Sequence, residues 1–168
     1  RDNYYDLVVG NPPYLGRKRI SNIQYLSKEY PTASFDLYAC FLIRGLELCK
    51  KGGLSSLLVQ RNWLFILSGQ ALRKELLLQF QLASLFDLEN NAFESTGVAS
   101  CIAQFQNTKP TKATCFLQTK AIFSRPVKNG PFLTKQGLLS QYKYYKKNVS
   151  LFQAIPTAPL IYWWDETT

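Results

Sequence analysis

The residues best suited to chemistry stand near the start of the chain, at Asn11-Pro12-Pro13-Tyr14. Asn11 carries an amide with one acceptor oxygen and two donor hydrogens. The two prolines hold φ at about −65° and lack N–H groups, so the backbone there is rigid and cannot continue a strand ladder. Tyr14 adds a flat ring. A loop of this kind can offer fixed polar groups and a π face to a planar ligand; it can also be a rigid turn with no ligand. Arg17-Lys18-Arg19 follows at once and suits either phosphate contacts or a solvated face. The chain has no histidine, and its four cysteines (Cys40, Cys49, Cys101, Cys115) never form C-x-x-C, so no metal site is expected. Each cysteine lies in an apolar stretch and reads as a small buried hydrophobe, which suits a reducing cytoplasm.

The elements that must position the loop are legible on either side of it. Tyr5 to Val9 is short, apolar and β-branched, and reads as a buried strand ending at Gly10-Asn11. Residues 15–33 are polar and basic and read as an excursion from the core. A largely apolar helix is expected from Ser34 to Lys51, capped by Ser34 and stopped by Gly52-Gly53. Leu54 to Val59 reads as the next strand. Ser68 is placed to cap a helix reaching Phe80, and Leu82 to Leu88 follows as a strand. Val98 to Phe105 and Ala113 to Leu117 are two further strands with no helix between them, which predicts an antiparallel hairpin at the sheet edge. Alternating strands and helices predict an α/β fold with a mostly parallel sheet. In such sheets ligands bind beyond the carboxyl ends of the strands, and the Asn-Pro-Pro-Tyr loop sits at one.

Several stretches together resemble one enzyme family. Tyr5 to Gly16 (YDLVVGNPPYLG) resembles motif IV of class I methyltransferases that act on exocyclic amino nitrogens. Asp36 to Gly53 (DLYACFLIRGLELCKKGG) is similar to their next helix, and QRNWL at 60–64 and Phe86 to Phe105 to later motifs. The pattern is that of γ-type adenine-specific (N6) DNA methyltransferases of the Eco57I and BREX PglX kind. The resemblance implies the C-terminal half of a class I, Rossmann-like, S-adenosylmethionine-dependent fold. It implies residues 1–119 as a catalytic subdomain. It implies residues 120–168, with PTAPLIYW at 156–163, as a linker and the start of a target-recognition domain.

On this resemblance the Asn11 amide oxygen and the Pro12 carbonyl accept the N–H groups of an adenine amino nitrogen, with Pro13 fixing the turn. That frees the nitrogen lone pair for a methyl group from S-adenosylmethionine, with no imidazole base required. The target lies inside duplex DNA, so the base must be flipped out and stacked. Tyr14 offers one face and, by resemblance, Phe93 the other, though an aromatic after Asn90-Asn91 could equally pack a loop. Base–aromatic stacking is worth roughly 1–3 kcal/mol per base, comparable to the cost of unstacking. Asp36 could cap its helix or contact the cofactor, as Asn11 could. The Gly-rich turn and ribose-binding acid of such folds do not precede Tyr5. Most of the cofactor site is therefore expected outside this chain, and the residues present are expected to bind S-adenosylmethionine poorly alone.

Composition supports a globular protein with a polyanionic partner. Of 168 residues 46% are apolar, and no apolar run is long enough for a membrane span. The chain begins with Arg1 and has no methionine, which reads as a fragment. Net charge is +9, with +2 over residues 1–100 (11 basic, 9 acidic) and +7 over 101–168 (9 basic, 2 acidic). A one-signed stretch of this length favours a polyanion partner, which on the resemblance is double-stranded DNA, or simply keeps the surface soluble. Two rivals remain at this stage. One is methylation of RNA or of a protein glutamine by the same loop; the other is an inactive DNA-binding piece.

Overall fold

The computed structural model describes residues 3–89, 98–111, 113–119 and 142–164. Six strands form one sheet: β1 (Tyr5–Gly10), β2 (Cys49–Gln60), β3 (Gln81–Glu89), β4 (Ser100–Gln106), β5 (Thr114–Thr119) and β6 (Tyr142–Lys147). Their order is β1-β2-β4-β3-β5-β6. Four strands (β1, β2, β3, β5) run one way and β4 and β6 run against them, so the α/β, mostly parallel reading holds. The antiparallel edge is the pair β5–β6, rather than the two strands after Leu88. β4 instead inserts between β2 and β3 and pairs antiparallel with both. None of its residues is exposed, as suits a strand in the middle of a sheet.

β1 departs from expectation in the opposite sense. It is an edge strand, paired through β2 alone among the described residues, and Tyr5, Leu7 and Val9 are 45%, 55% and 71% exposed. An apolar run signals a strand but not what covers it. Its carboxyl end at Gly10 nonetheless lies beside Leu57, close to the end of β2, which places the loop that follows at the rim of the sheet.

α1 (Ile23–Glu29) supplies one helix of the excursion; α2 (Leu37–Leu48) packs on the sheet. α2 starts later than expected, capped by Asp36 rather than Ser34, and stops before the Gly-Gly pair. Gly52 and Gly53 fall within β2, where the register against β1 jumps from Tyr5↔Cys49 to Leu7↔Leu54. Gly52 takes φ +83°, a left-handed conformation that glycine reaches without strain. α2 buries Tyr38, Ala39, Leu42, Ile43 and Leu46, and each large apolar group contributes about 1.5–3 kcal/mol. A Cβ at Gly45 would fall 2.5 Å from the Ser55 hydroxyl, so glycine sets how closely α2 lies on β2. α3 (Gln70–Gln79) begins after Gly69 and two 3-10 turns, not at Ser68, and buries Leu72, Leu76 and Leu77.

The packed unit runs past Thr119. β6, α4 (Ser150–Gln153) and residues 158–162 join the same core. Phe116 and Tyr162 stack with ring centroids 4.7 Å apart. Arg73, with no exposed surface, donates to the carbonyls of Trp63, Ile66, Thr157 and Ala158 and so staples this segment to the turns before α3. The described part of the stretch expected as a linker thus packs into the same core as the sheet. Cys40, Cys49 and Cys101 are buried and Cys115 is half-buried. Among the described residues no helix is long and apolar enough to cross a membrane.

Candidate active site

The carboxyl ends of β1 and β2 and the start of β4 meet at one rim of the sheet, and the Asn-Pro-Pro-Tyr loop leaves β1 there. Asn11 is exposed, and its amide makes no hydrogen bond among the described residues. Pro12 is buried, and its carbonyl likewise accepts none among them. Two acceptors on adjacent residues of a backbone stiffened by two prolines are therefore without a donor among the described residues.

The loop is held from behind. The Asp36 carboxylate accepts the Leu15 N–H at 3.0 Å and, as cap of α2, the Tyr38 N–H at 3.4 Å. The Leu37 N–H donates to Leu15 at 2.9 Å and the Arg17 N–H to Phe35 at 3.0 Å, completing a short antiparallel bridge between Gly16 and Asp36. Of the two roles expected of Asp36, its contacts are those of a cap. Burial raises its pKa, and the backbone donors only partly oppose that. Tyr14 is half-buried. Its hydroxyl donates to the Leu58 carbonyl at 3.3 Å and its ring meets Tyr38 edge-on at 5.8 Å, so the ring plane is fixed. Burial pushes the Tyr14 phenol up, keeping it neutral.

Two clefts flank the loop. One, about 320 Å³, is bordered by Gly10 to Pro13 and walled by Phe41, Leu48 and Leu57. A Cβ at Gly10 would lie 3.2 Å from the Leu57 side chain, so the glycine keeps that floor open. The other, about 380 Å³, is lined by Tyr14, Asp36, Gln60 and the basic triplet. Asp36 thus lies away from the cleft beside Asn11. Arg17, Lys18 and Arg19 form a 3-10 turn on the rim and all are exposed. Arg17 also grips Ser34, donating to its hydroxyl at 3.0 Å, while Lys18 and Arg19 make no ion pair among the described residues. Phe93 lies outside the described residues.

The QRNWL stretch yields more than its resemblance promised. Tyr38 donates to the Asn62 side-chain oxygen at 2.8 Å, and the Asn62 amide donates to the Gln60 side-chain oxygen at 3.2 Å. Arg61 pairs with the fully buried Asp87 at 2.6 Å, and Tyr162 also donates to Asp87. Burial opposes the Arg61 charge, but Asp87 beside it more than offsets that and raises its pKa. The Arg61 guanidinium lies 4.9 Å from the Phe65 ring and 5.7 Å from Trp163, within cation–π range. Sequence reasoning passed over Gln60, Asn62 and Asp87 as site residues. The available signal was a run of polar side chains just past a strand end, at the rim where ligands bind.

The adenine-specific methyltransferase PglX of Lacticaseibacillus casei (strain Zhang) is 29% identical over 167 residues, covering 95% of this chain and 14% of that protein. The chain spans about one seventh of that relative's length. A type I restriction-modification methyltransferase subunit from Streptococcus thermophilus superposes over 87% of this chain and 35% of its own, with a TM-score of 0.64 and 17% identity. A putative class I S-adenosylmethionine-dependent methyltransferase from Listeria monocytogenes superposes over 74% of this chain and 39% of its own, with a TM-score of 0.59 and 15% identity. The fold is therefore that of class I S-adenosylmethionine-dependent methyltransferases. Residues 1–93 match the family of Eco57I restriction-modification methylases, and the chain belongs to that family.

Proposed function

We propose that this chain is the base-holding part of a DNA methyltransferase that transfers a methyl group from S-adenosylmethionine to N6 of an adenine flipped out of duplex DNA, within a restriction-modification or phage-defence system. The observation that carries this reading is the open acceptor pair, the Asn11 amide oxygen and the Pro12 carbonyl, on a loop tied down by Asp36. An adenine amino group has two N–H donors and a lone pair delocalised into the ring. Accepting both hydrogens at fixed positions draws that nitrogen toward tetrahedral geometry. Preorganised acceptors of this kind stabilise charge as it develops, with no reorganisation at the moment of reaction.

The Tyr14 ring, its plane fixed by Leu58 and Tyr38, supports the base from one face. Phe93 is proposed for the other. When bound, S-adenosylmethionine supplies an electrophilic methyl on a sulfonium. The cleft at Gly10 to Pro13 is proposed to take that group: its wall includes the Phe41 ring, which favours a soft cation, while the Arg44 charge at the same cleft is paired with Glu47. Transfer would exchange the donor's sulfur–methyl bond for a methyl–nitrogen bond while Asn11 and Pro12 hold the amino nitrogen. The amino proton then passes to solvent, since an alkylated adenine amino group is strongly acidic while it bears the extra charge. The Gly-rich turn and ribose-binding acid of the donor site are proposed to come from residues outside those present. Lys18 and Arg19 are proposed to meet phosphates, and residues within 120–168 to begin a target-recognition domain.

The test is Asn11→Ala in the full-length protein, assayed on duplex DNA with ribosomal RNA in parallel, reading N6-methyladenine by mass spectrometry. Removing one preorganised hydrogen-bonding group of this kind costs about 10²–10³ in rate. Loss of that size on DNA, with circular dichroism unchanged, is the expected result. Wild-type methylation by the variant refutes the role of the loop, and methylation confined to RNA refutes the substrate.

A further inference from the structure

Beyond holding the amino group, the site contains a polar side chain whose orientation is set by a relay. Tyr38, buried in α2, donates its hydroxyl to the Asn62 oxygen at 2.8 Å. With that oxygen engaged, the Asn62 nitrogen donates to the Gln60 oxygen at 3.2 Å. The Gln60 amide is therefore polarised: its oxygen faces Asn62, and its nitrogen makes no hydrogen bond among the described residues. Gln60 is half-buried and lines the cleft shared with Tyr14 and Asp36. The relay is anchored on the same Tyr38 whose ring packs edge-on against Tyr14, so donor and stacking ring share one support.

We infer that Gln60 is a base-reading residue, donating from its side-chain nitrogen to a ring-nitrogen acceptor on one side or the other of the amino group of the flipped adenine, N1 or N7. The inference rests on the methylation reading above. A donor beside the stacking ring holds the base against in-plane rotation, which keeps the amino nitrogen on Asn11 and Pro12. Asn62 is a positioning residue, because it acts on the base only through Gln60.

The test uses the full-length protein and duplexes carrying its own target site, identified from methylation of genomic DNA. The target base is adenine, 1-deazaadenine or 7-deazaadenine, each analogue replacing one candidate acceptor with C–H. Gln60→Leu removes the donor. Gln60→Glu keeps the shape and an acceptor for Asn62 but no donor. Both variants are expected to lower kcat/KM on adenine by about 3- to 10-fold, the range for losing one hydrogen bond of ordinary strength. On the analogue that lacks the true acceptor the penalty should vanish, with wild type and Gln60→Leu agreeing within about twofold, while it persists on the other. A penalty of equal size on all three bases overturns the inference, as does no penalty on adenine. If genomic DNA shows no methylated adenine that depends on the wild-type protein, the methylation reading itself fails, an outcome distinct from a variant penalty indifferent to the base.

Discussion

Asp36 connects the loop to the fold, and its replacement can be worked through in numbers. Its carboxylate accepts two backbone N–H groups, from Leu15 at 3.0 Å and Tyr38 at 3.4 Å. Asp36→Ala removes a helix cap, worth about 1 kcal/mol. It also strands the Leu15 N–H, which costs about 1–3 kcal/mol where water cannot reach. Relief from burying a carboxylate offsets part of this, since burial is what raises the Asp36 pKa. The net cost to local stability is about 1–3 kcal/mol, or roughly a 5- to 150-fold rise in the open population. Asp36→Asn keeps an acceptor oxygen in the same place and drops the charge, so its cost should be near zero. The pH dependence has a definite sign. A carboxyl whose folded pKa lies above its unfolded value of about 4 stabilises most below that value, and the contribution is lost as pH rises through the raised pKa. Asp36→Asn should flatten that dependence. Hydrogen-exchange mass spectrometry on the full-length protein, following peptides across residues 10–40, reads the opening directly. If Asp36→Asn opens the segment as far as Asp36→Ala, the tie is not the acceptor geometry and the reasoning fails.

Further expectations follow from the same structure. Tyr14→Phe loses only a long hydrogen bond to Leu58 and should retain most methylation, whereas Tyr14→Ala loses the stacking face and should weaken binding to target DNA by about 1–3 kcal/mol; equal effects of the two would remove the stacking role. Arg73→Met leaves four carbonyls without their buried donor, at a cost of about 1–3 kcal/mol for each that water cannot reach, offset in part by relief from burying the guanidinium. Exchange in residues 157–164 should then rise sharply, and unchanged protection there would contradict the staple. Lys18→Ala with Arg19→Ala should lower DNA affinity for specific and non-specific sequences alike and reduce the salt slope by about 2. An unchanged slope would place the triplet on a merely solvated face.

What the sequence disclosed and withheld follows from the range of the forces involved. The Asn-Pro-Pro-Tyr loop was legible because its restraint is local: two prolines ending an apolar strand define rigidity and place without help from distant residues. The α/β alternation was legible for the same reason. Cap positions were not, because Ser34 and Asp36 are both able caps and the choice fell to Asp36, which can also reach Leu15 across the bridge. The exposure of β1 and the central place of β4 depend on which strands lie alongside, and composition does not record that. The tail read as a linker because Lys, Pro and Tyr dominate it, yet Tyr162 fills the core against Phe116 and Arg73 pins the backbone before it.

The site shows the same division more sharply. The roles proposed for Asn11 and Tyr14 follow from their own residue types and neighbours. The role proposed for Gln60 arises only through Asn62 and Tyr38, residues 2 and 22 positions away, because an amide becomes directional when its oxygen is already engaged. Rigidity of the loop can therefore be read along the chain, whereas the polarity of the groups facing it is a property of contacts. Substitutions at Asn11 should act through the reaction itself, and substitutions at Asn62 or Tyr38 through the angle at which a base is presented to it.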